Sequence, residues 1–323
     1  MLKVAFAGTF AARLEPQVRS HLDVPCDVIV VDEAAIAARL SEVDVLVTMA
    51  FTAEMGGAAK RLALVQVPGA GLDRIDRAAL PRGTWLANAY GHEIGIAEYA
   101  MGAMLALTRQ VGRLDAALRR GVWESQWAIG ASPPPPWPEL AGRTLGILGY
   151  GRIGHALARR ARAFDMTVCA IRREVPDATP DDLAWLRGPA ALDDVLRAAD
   201  YLAITLSLND ATRGLIGARE LALMKRTSIL VNVARAEIVD ESALYRALAA
   251  KSIGAAALDV WYRYPKTAGA TMPSRHPFHD LENVLMTPHI SGWTDGMLTA
   301  RAKLIAQNVS RASRGEPPIN RIT

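Results

Sequence analysis

Leu145-Gly-Ile-Leu-Gly-Tyr-Gly-Arg-Ile-Gly154 runs an apolar strand directly into three glycines spaced G-x-G-x-x-G, and an amphipathic helix continues over 152–164. Each glycine answers a separate physical need. Gly149 permits the tight turn, Gly151 lets the backbone approach a pyrophosphate, and Gly154 lets the helix lie close on the strand. The unpaired amides and the dipole at the helix N-terminus then favour phosphate oxygens. The spacing alone is weak; strand, glycine loop and helix in that order predict a dinucleotide-binding unit. Tyr150, Arg152 and Ile153 belong to the same loop.

The next strand, over 167–171, is followed by Arg172-Arg173. An acidic residue near this point would accept from the ribose 2′-hydroxyl of NAD(H), whereas adjacent guanidinium groups suit the 2′-phosphate of NADP(H). NADP(H) is therefore expected in preference to NAD(H), which stays possible if the arginines are merely solvated and Glu174 or Asp177 serves the ribose.

Outward from this unit the alternation of strand and helix persists. Strands are predicted over 201–206, 229–233, 255–260 and 284–286, with helices over 192–198, 218–224, 241–250 and 298–313. Strands that each lead into a helix imply a parallel sheet. Upstream, strands at 2–7, 28–31, 43–48 and 64–67, with helical composition at 34–40, form an earlier α/β region. Residues 93–120, rich in Ala, Leu and Met and free of proline, predict one long helix or two. Ser132-Pro-Pro-Pro-Pro-Trp-Pro138 then breaks the pattern as an extended segment.

The chain has 323 residues, enough for two domains, with 51% hydrophobic and 22% charged residues. A net charge of +4 comes without a clustered basic stripe, so no nucleic-acid partner is expected. Two distant cysteines support neither a disulfide framework nor a metal site. No apolar run is long enough to span a membrane, and a cytoplasmic location is the default expectation.

Several further blocks, in order, resemble the D-isomer-specific 2-hydroxyacid dehydrogenase family. They are Val67-Pro-Gly-Ala-Gly-Leu-Asp73, Ile96-Ala-Glu98, the glycine loop, Val231-Asn-Val-Ala-Arg-Ala-Glu-Ile-Val-Asp240, Ala257-Leu-Asp-Val260 and Thr287-Pro-His-Ile-Ser-Gly292. The resemblance spans nearly the whole chain. It implies an α/β protein in which a Rossmann domain, 99–290, is inserted into a flavodoxin-like substrate domain, 1–98 and 291–323, with the ligand in the cleft between them. It also implies hydride transfer between NAD(P)H and a small anionic 2-oxo acid, and a homodimer.

Residue by residue, the resemblance assigns Arg235 to gripping the substrate carboxylate and polarising the 2-oxo group, and His289 to acid/base work. Ala70 and Gly71 would offer amides to the carboxylate, and Asp259 would hold the nicotinamide end of the cofactor. Thr205, Leu208 and Val233 are weaker cofactor-lining candidates, and Phe51, Tyr90 and Trp293 are guesses for the substrate pocket. The chemistry is apt: guanidinium matches carboxylate geometry, and imidazole titrates near working pH. Alternative roles stay open, a surface salt bridge for Arg235 and a structural role for His289.

Two departures stand out. The family's glycine after the arginine is Ala236, and the glutamate that would partner the histidine, directly before a proline, is Tyr264 before Pro265. Either Tyr264 takes over the hydrogen bond to His289, or an acid such as Asp280 or Asp295 reaches it, or the protein is a weak or inactive dinucleotide-binding sensor. With a phenol partner the histidine pKa should be lower than beside a carboxylate. The segment 266–282 is longer than the resemblance leads one to expect; covering the active-site mouth, bringing in Phe278 and serving as a plain surface loop all stay open.

Overall fold

A computed structural model describes residues 1–130 and 132–322. It contains two compact units, Met1–His92 with Trp293–Thr323, and Glu93–Gly292. The first opens with β1 (Leu2–Ala7), α1 (Thr9–His21), β2 (Cys26–Val31), β3 (Val45–Thr48), α2 (Ala53–Ala58), β4 (Leu64–Gln66) and β5 (Trp85–Ala87). The second holds α3 (Glu93–Thr108), α4 (Val111–Leu118), β6 (Thr144–Leu148), α5 (Arg152–Ala163), β7 (Thr167–Ile171), β8 (Trp185–Arg187), α6 (Leu192–Ala198) and β9 (Tyr201–Ile204). It continues with α7 (Ala218–Leu223), β10 (Ile229–Asn232), α8 (Glu241–Ala249), β11 (Ala255–Leu258) and β12 (Val284–Met286). The chain then returns to the first unit through α9 (Asp295–Ser313) and β13 (Arg321–Ile322).

The sheet of the second unit has seven strands in the order β12-β11-β10-β9-β6-β7-β8, all parallel. This is the doubly wound Rossmann order, and its direction of growth reverses between β6 and β9, where such sheets bind ligands beyond their carboxyl ends. The central strands are wholly buried and apolar because helices cover both faces. Leu145, Ile147, Val168 and Val231 face α3 and α5, while Leu202 and Leu230 face α6, α7 and α8.

In the first unit, six strands lie in the order β13-β5-β4-β3-β1-β2. Strands β1 to β5 are parallel in the flavodoxin order, and β13 is antiparallel to β5. One face packs Val4 and Phe6 against Leu14 and Val18 of α1 and Ile305 and Val309 of α9. The returning segment is tied in by Asn308, buried, whose side chain donates to Gln66 Oε1 at 2.7 Å and accepts from the Ile319 amide at 2.7 Å.

Of the two arrangements expected for 93–120, the structure has two helices, separated where Gln110 adopts φ 50°, a left-handed residue that ends regular helix. Other elements differ from expectation. Ile96, Ala97, Ala100, Met101 and Met104 bury into the core of the second unit, so the division of the chain falls before α3 rather than at 98/99. Residues Ile36–Glu42 are a 3₁₀ helix. Strands β5 and β8, three residues each, were not predicted. Among the described residues, no helix is long and apolar enough to cross a membrane, and no group of three His, Cys, Asp or Glu could hold a metal ion.

Candidate active site

The glycine loop follows β6 at its carboxyl end. Gly149 has φ 101°, and a Cβ there would lie 2.9 Å from the Leu206 amide nitrogen. At Gly154 a Cβ would lie 2.7 Å from the Gly149 carbonyl oxygen, so only glycine lets α5 start this close to the strand. Gly151 is different: a Cβ there would meet nothing within 4 Å, leaving open space at the N-cap of α5. A tight turn, a close helix and a bare approach to the helix N-terminus are what a dinucleotide pyrophosphate needs, and the loop fits it.

Side chains brace this loop. Thr205 donates to the Gly149 carbonyl at 2.7 Å, which makes it a support of the turn. Tyr150 is buried and donates to Asp182 Oδ1 at 2.7 Å; burial, more than that carboxylate, holds its phenol well above the ordinary tyrosine range. Ile153 packs on the core beneath α5, and Arg152 is exposed at its first turn. Val233 is buried, and Leu208 packs against the core of the second unit.

At the end of β7, Arg172 is partly buried and Arg173 is exposed. Arg173 lies 3.7 Å from Glu174, both largely in solvent, a pairing of little energetic weight.

A second cluster gathers beyond the carboxyl ends of β10, β11 and β12. Asn232, ending β10, accepts from the Ala234 amide and donates to the Arg235 carbonyl, closing the turn that presents Arg235. Arg235 also donates through Nη1 to the Ala234 carbonyl at 2.8 Å. Ala236 begins a 3₁₀ turn, Ala236–Ile238, and its methyl group is buried; a helical backbone accepts a Cβ, so the missing glycine leaves the turn intact.

Asp259, immediately after β11, is completely buried. Its carboxylate accepts from Thr287 Oγ1 at 2.6 Å, the Ile290 amide at 2.9 Å and the Ser291 amide at 2.8 Å. The Tyr99 hydroxyl of α3 lies 2.6 Å from Thr287 Oγ1. Because threonine's one proton goes to Asp259, Tyr99 is the donor in that contact. Asp259 thus clamps the turn carrying His289, whose φ of 58° places a non-glycine residue in the left-handed region, a strained conformation.

Tyr264 Oη lies 2.7 Å from His289 Nδ1 and also accepts from the Trp261 amide at 3.3 Å. Removal from water pushes the imidazole pKa down; Asp259 opposes this and the Arg235 cation adds to it. The Tyr264 phenol is pushed up, chiefly by burial, with the Trp261 amide and Arg235 acting the other way. Arg235, Asp259, Tyr264 and His289 are therefore close enough to feel one another's charge.

A family model described as D-isomer specific 2-hydroxyacid dehydrogenase, NAD binding domain, matches residues 101–291, more than half of the chain. The chain belongs to this family. Glyoxylate reductase of Thermococcus kodakarensis is 35% identical over 289 residues, covering 87% of this chain and 83% of that protein. D-3-phosphoglycerate dehydrogenase of Methanocaldococcus jannaschii is 34% identical over 286 residues, covering 86% of this chain. The chain spans about half the length of the phosphoglycerate dehydrogenases it matches. Among solved structures, 2-hydroxyacid dehydrogenase of Ketogulonicigenium vulgare has a TM-score of 0.80 at 28% identity, covering 100% of this chain and 99% of that one.

Within this 2-hydroxyacid dehydrogenase frame, other residues of interest go elsewhere. Ala70 and Gly71 lie in a partly exposed loop of the first unit, where Asn88 donates to the Ala70 carbonyl. Among the described residues, no acceptor is bonded to either amide. Phe51 is buried in the core of the first unit and Phe278 in that of the second, beside Trp261 and Tyr245, so neither lines a pocket mouth. Trp293 packs on Phe10 with Arg13 over its ring. Asp280 sits by His279, and Asp295 opens α9, where its carboxylate accepts from the Gly296 amide. His276 bonds Ser242 and stacks on Tyr245. Asn232, Thr287, Tyr99 and Asp182 escaped the sequence analysis; only the small polar residue ending β10 and the threonine of Thr287-Pro-His289 carried a signal for the first two.

Proposed function

We propose that the chain is a reductase of small 2-oxo acids that prefers NADP(H). The hydrogen bond between Tyr264 and His289, within reach of the Arg235 charge, carries this reading. The nicotinamide supplies the hydride when bound. Gly149–Gly154 holds its pyrophosphate, and Arg172 with Arg173 holds the 2′-phosphate. Val233 and Thr205 shape the cofactor's surroundings, and Leu208 is a weaker contact. Arg235 holds the substrate carboxylate and draws electron density from the 2-oxo carbon, and the amides of Ala70 and Gly71 are further candidates for binding a carboxylate. His289 as imidazolium gives the proton to the forming hydroxyl oxygen. Tyr264 takes the place that the family resemblance gives to a glutamate, and Asp259 holds the histidine turn and closes the nicotinamide end.

The first unit serves as substrate domain and the second as cofactor domain, in a cytoplasmic homodimer. The names of relatives support glyoxylate and related 2-oxo acids as first substrates to try. Glyoxylate, hydroxypyruvate, pyruvate and larger 2-oxo acids, each with NADPH and with NADH, followed by nicotinamide absorbance, test the proposal. Oxidation of NADPH by at least one acid is expected. Tight NADPH binding without turnover on any acid would favour a sensor, an outcome to which the missing glutamate lends weight.

A further inference from the structure

We infer that the neutral imidazole of His289 rests with its proton on Nε2, and that Tyr264 thereby sets this site toward reduction. This deepens the acid/base role proposed for His289 and rests on it for its catalytic meaning. The argument is one of donors and acceptors. The Trp261 backbone amide can only donate, so the Tyr264 oxygen accepts there, at 3.3 Å. The phenol keeps its own proton to donate, and among the described protein groups the acceptor bonded to it is His289 Nδ1, at 2.7 Å, in a solvent-exposed contact. A phenol held above its ordinary pKa stays protonated and remains a donor. A ring nitrogen that accepts carries no proton, so in the neutral ring the proton sits on Nε2. A carboxylate in the same place could only accept. It would enforce the opposite tautomer, Nδ1–H with a bare Nε2.

The charged and titratable groups facing this pair come from three segments: Arg235 and Glu237 after β10, Asp259 after β11, and the Thr287–Ser291 turn after β12, which Asp259 clamps. The Asp259 carboxylate accepts from Thr287, Ile290 and Ser291, so the hydrogen bond that sets the tautomer is the one to Tyr264, while Asp259 favours the imidazolium and Arg235 opposes it.

The consequence follows from proton bookkeeping. In reduction, a hydride from the reduced nicotinamide adds to the 2-oxo carbon. The carbonyl π pair moves to oxygen, and the imidazolium gives its Nε2 proton to that oxygen. His289 is left neutral, with its proton on Nδ1. Tyr264 must then turn its own proton aside until solvent exchange restores the Nε2–H form. Oxidation of a 2-hydroxy acid needs a bare Nε2, which is the minor neutral tautomer. Favouring the other tautomer also makes the imidazolium a stronger acid. Since the overall equilibrium is fixed, each unit of lowered pKa lowers the high-pH oxidation plateau about tenfold relative to the low-pH reduction plateau.

The test needs no turnover. The free chain is labelled with ¹⁵N-histidine, and long-range proton–nitrogen NMR reads the tautomer of His289, assigned by the signal lost in His289→Gln. Above its pKa, wild type should carry the proton on Nε2. Tyr264→Phe should give a mixture, and Tyr264→Glu should place the proton on Nδ1 and raise the pKa by about one to three units. If Tyr264→Glu does not fold, Tyr264→Phe carries the comparison. Wild type with the proton on Nδ1, or a tautomer unchanged in Tyr264→Phe, overturns the inference. An Nε2–H tautomer in a chain that turns over no 2-oxo acid would instead remove the reductase reading and leave this one standing.

Discussion

Between Gly149 and Gly154 the second unit builds its site from backbone, by leaving side chains out; from Arg235 to His289 it builds from side chains, by hydrogen-bonding them together. The first region works through space. Gly151 opens onto nothing, and the helix amides behind it supply the attraction. The second works through polar contacts between residues far apart in sequence, with a buried carboxylate holding a strained turn. The difference teaches where each region is vulnerable. A bulky side chain at Gly151 should harm the first and spare the fold, whereas an isosteric change of one donor or acceptor should harm the second.

The largest expected effect is in the polar region. His289→Gln and Arg235→Gln should each lower turnover by about 10²–10⁴-fold while leaving NADPH affinity within a few-fold of wild type. Steady-state kinetics paired with fluorescence titration checks both, and a parallel loss of cofactor binding would show that the two regions are not separable. Next, Gly151→Val should weaken NADPH binding by about 10²-fold or more with little change in melting temperature, since the free chain has room for the side chain. A large drop in thermal stability would contradict the idea that this space is kept for a ligand.

Asp259→Asn keeps one acceptor oxygen but puts an NH2 donor where at least one of the three bonds needs an acceptor. It should destabilise the chain by about 1–3 kcal/mol in denaturant titration and lower turnover more than cofactor binding. Unchanged stability would mean the turn holds itself. Arg172→Ser with Arg173→Ser should raise the NADPH dissociation constant about tenfold, a modest figure because Arg173 is exposed, and leave that of NADH alone. Equal losses for both cofactors would remove the 2′-phosphate as their target. The smallest and subtlest effect is in pH. The imidazolium is the acid form, and the folded protein lowers its pKa, so reduction should be at its plateau below that pKa and decline as pH rises through it. A decline beginning above the ordinary histidine pKa of about 6.5 would argue against this.

The backbone-built region was legible in advance because glycine spacing is a local property. Gly149, Gly151 and Gly154 lie within one turn and one helix start, and their strand and helix adjoin them in sequence. The parallel sheet was recoverable from alternation, since strands that each lead into a helix must run the same way. Trp85–Ala87 and Trp185–Arg187 were not, because each mixes a large aromatic with small or polar residues and lacks the aliphatic run that marked Val284–Met286. The side-chain region was only half legible. Arg235 and His289 stood out through their neighbours in sequence, but the several groups meeting at Asp259 did not.

The sequence by itself determined the sites of the glycine turn, the arginines after β7 and the absence of a carboxylate at position 264, because each is a statement about residue type at a position. Only the tertiary structure decided that Tyr264 bonds Nδ1 of His289 and that Asp259 grips the turn around it. Those contacts join segments that follow different strands, so their existence depends on sheet register and on the turns after each strand rather than on any local pattern.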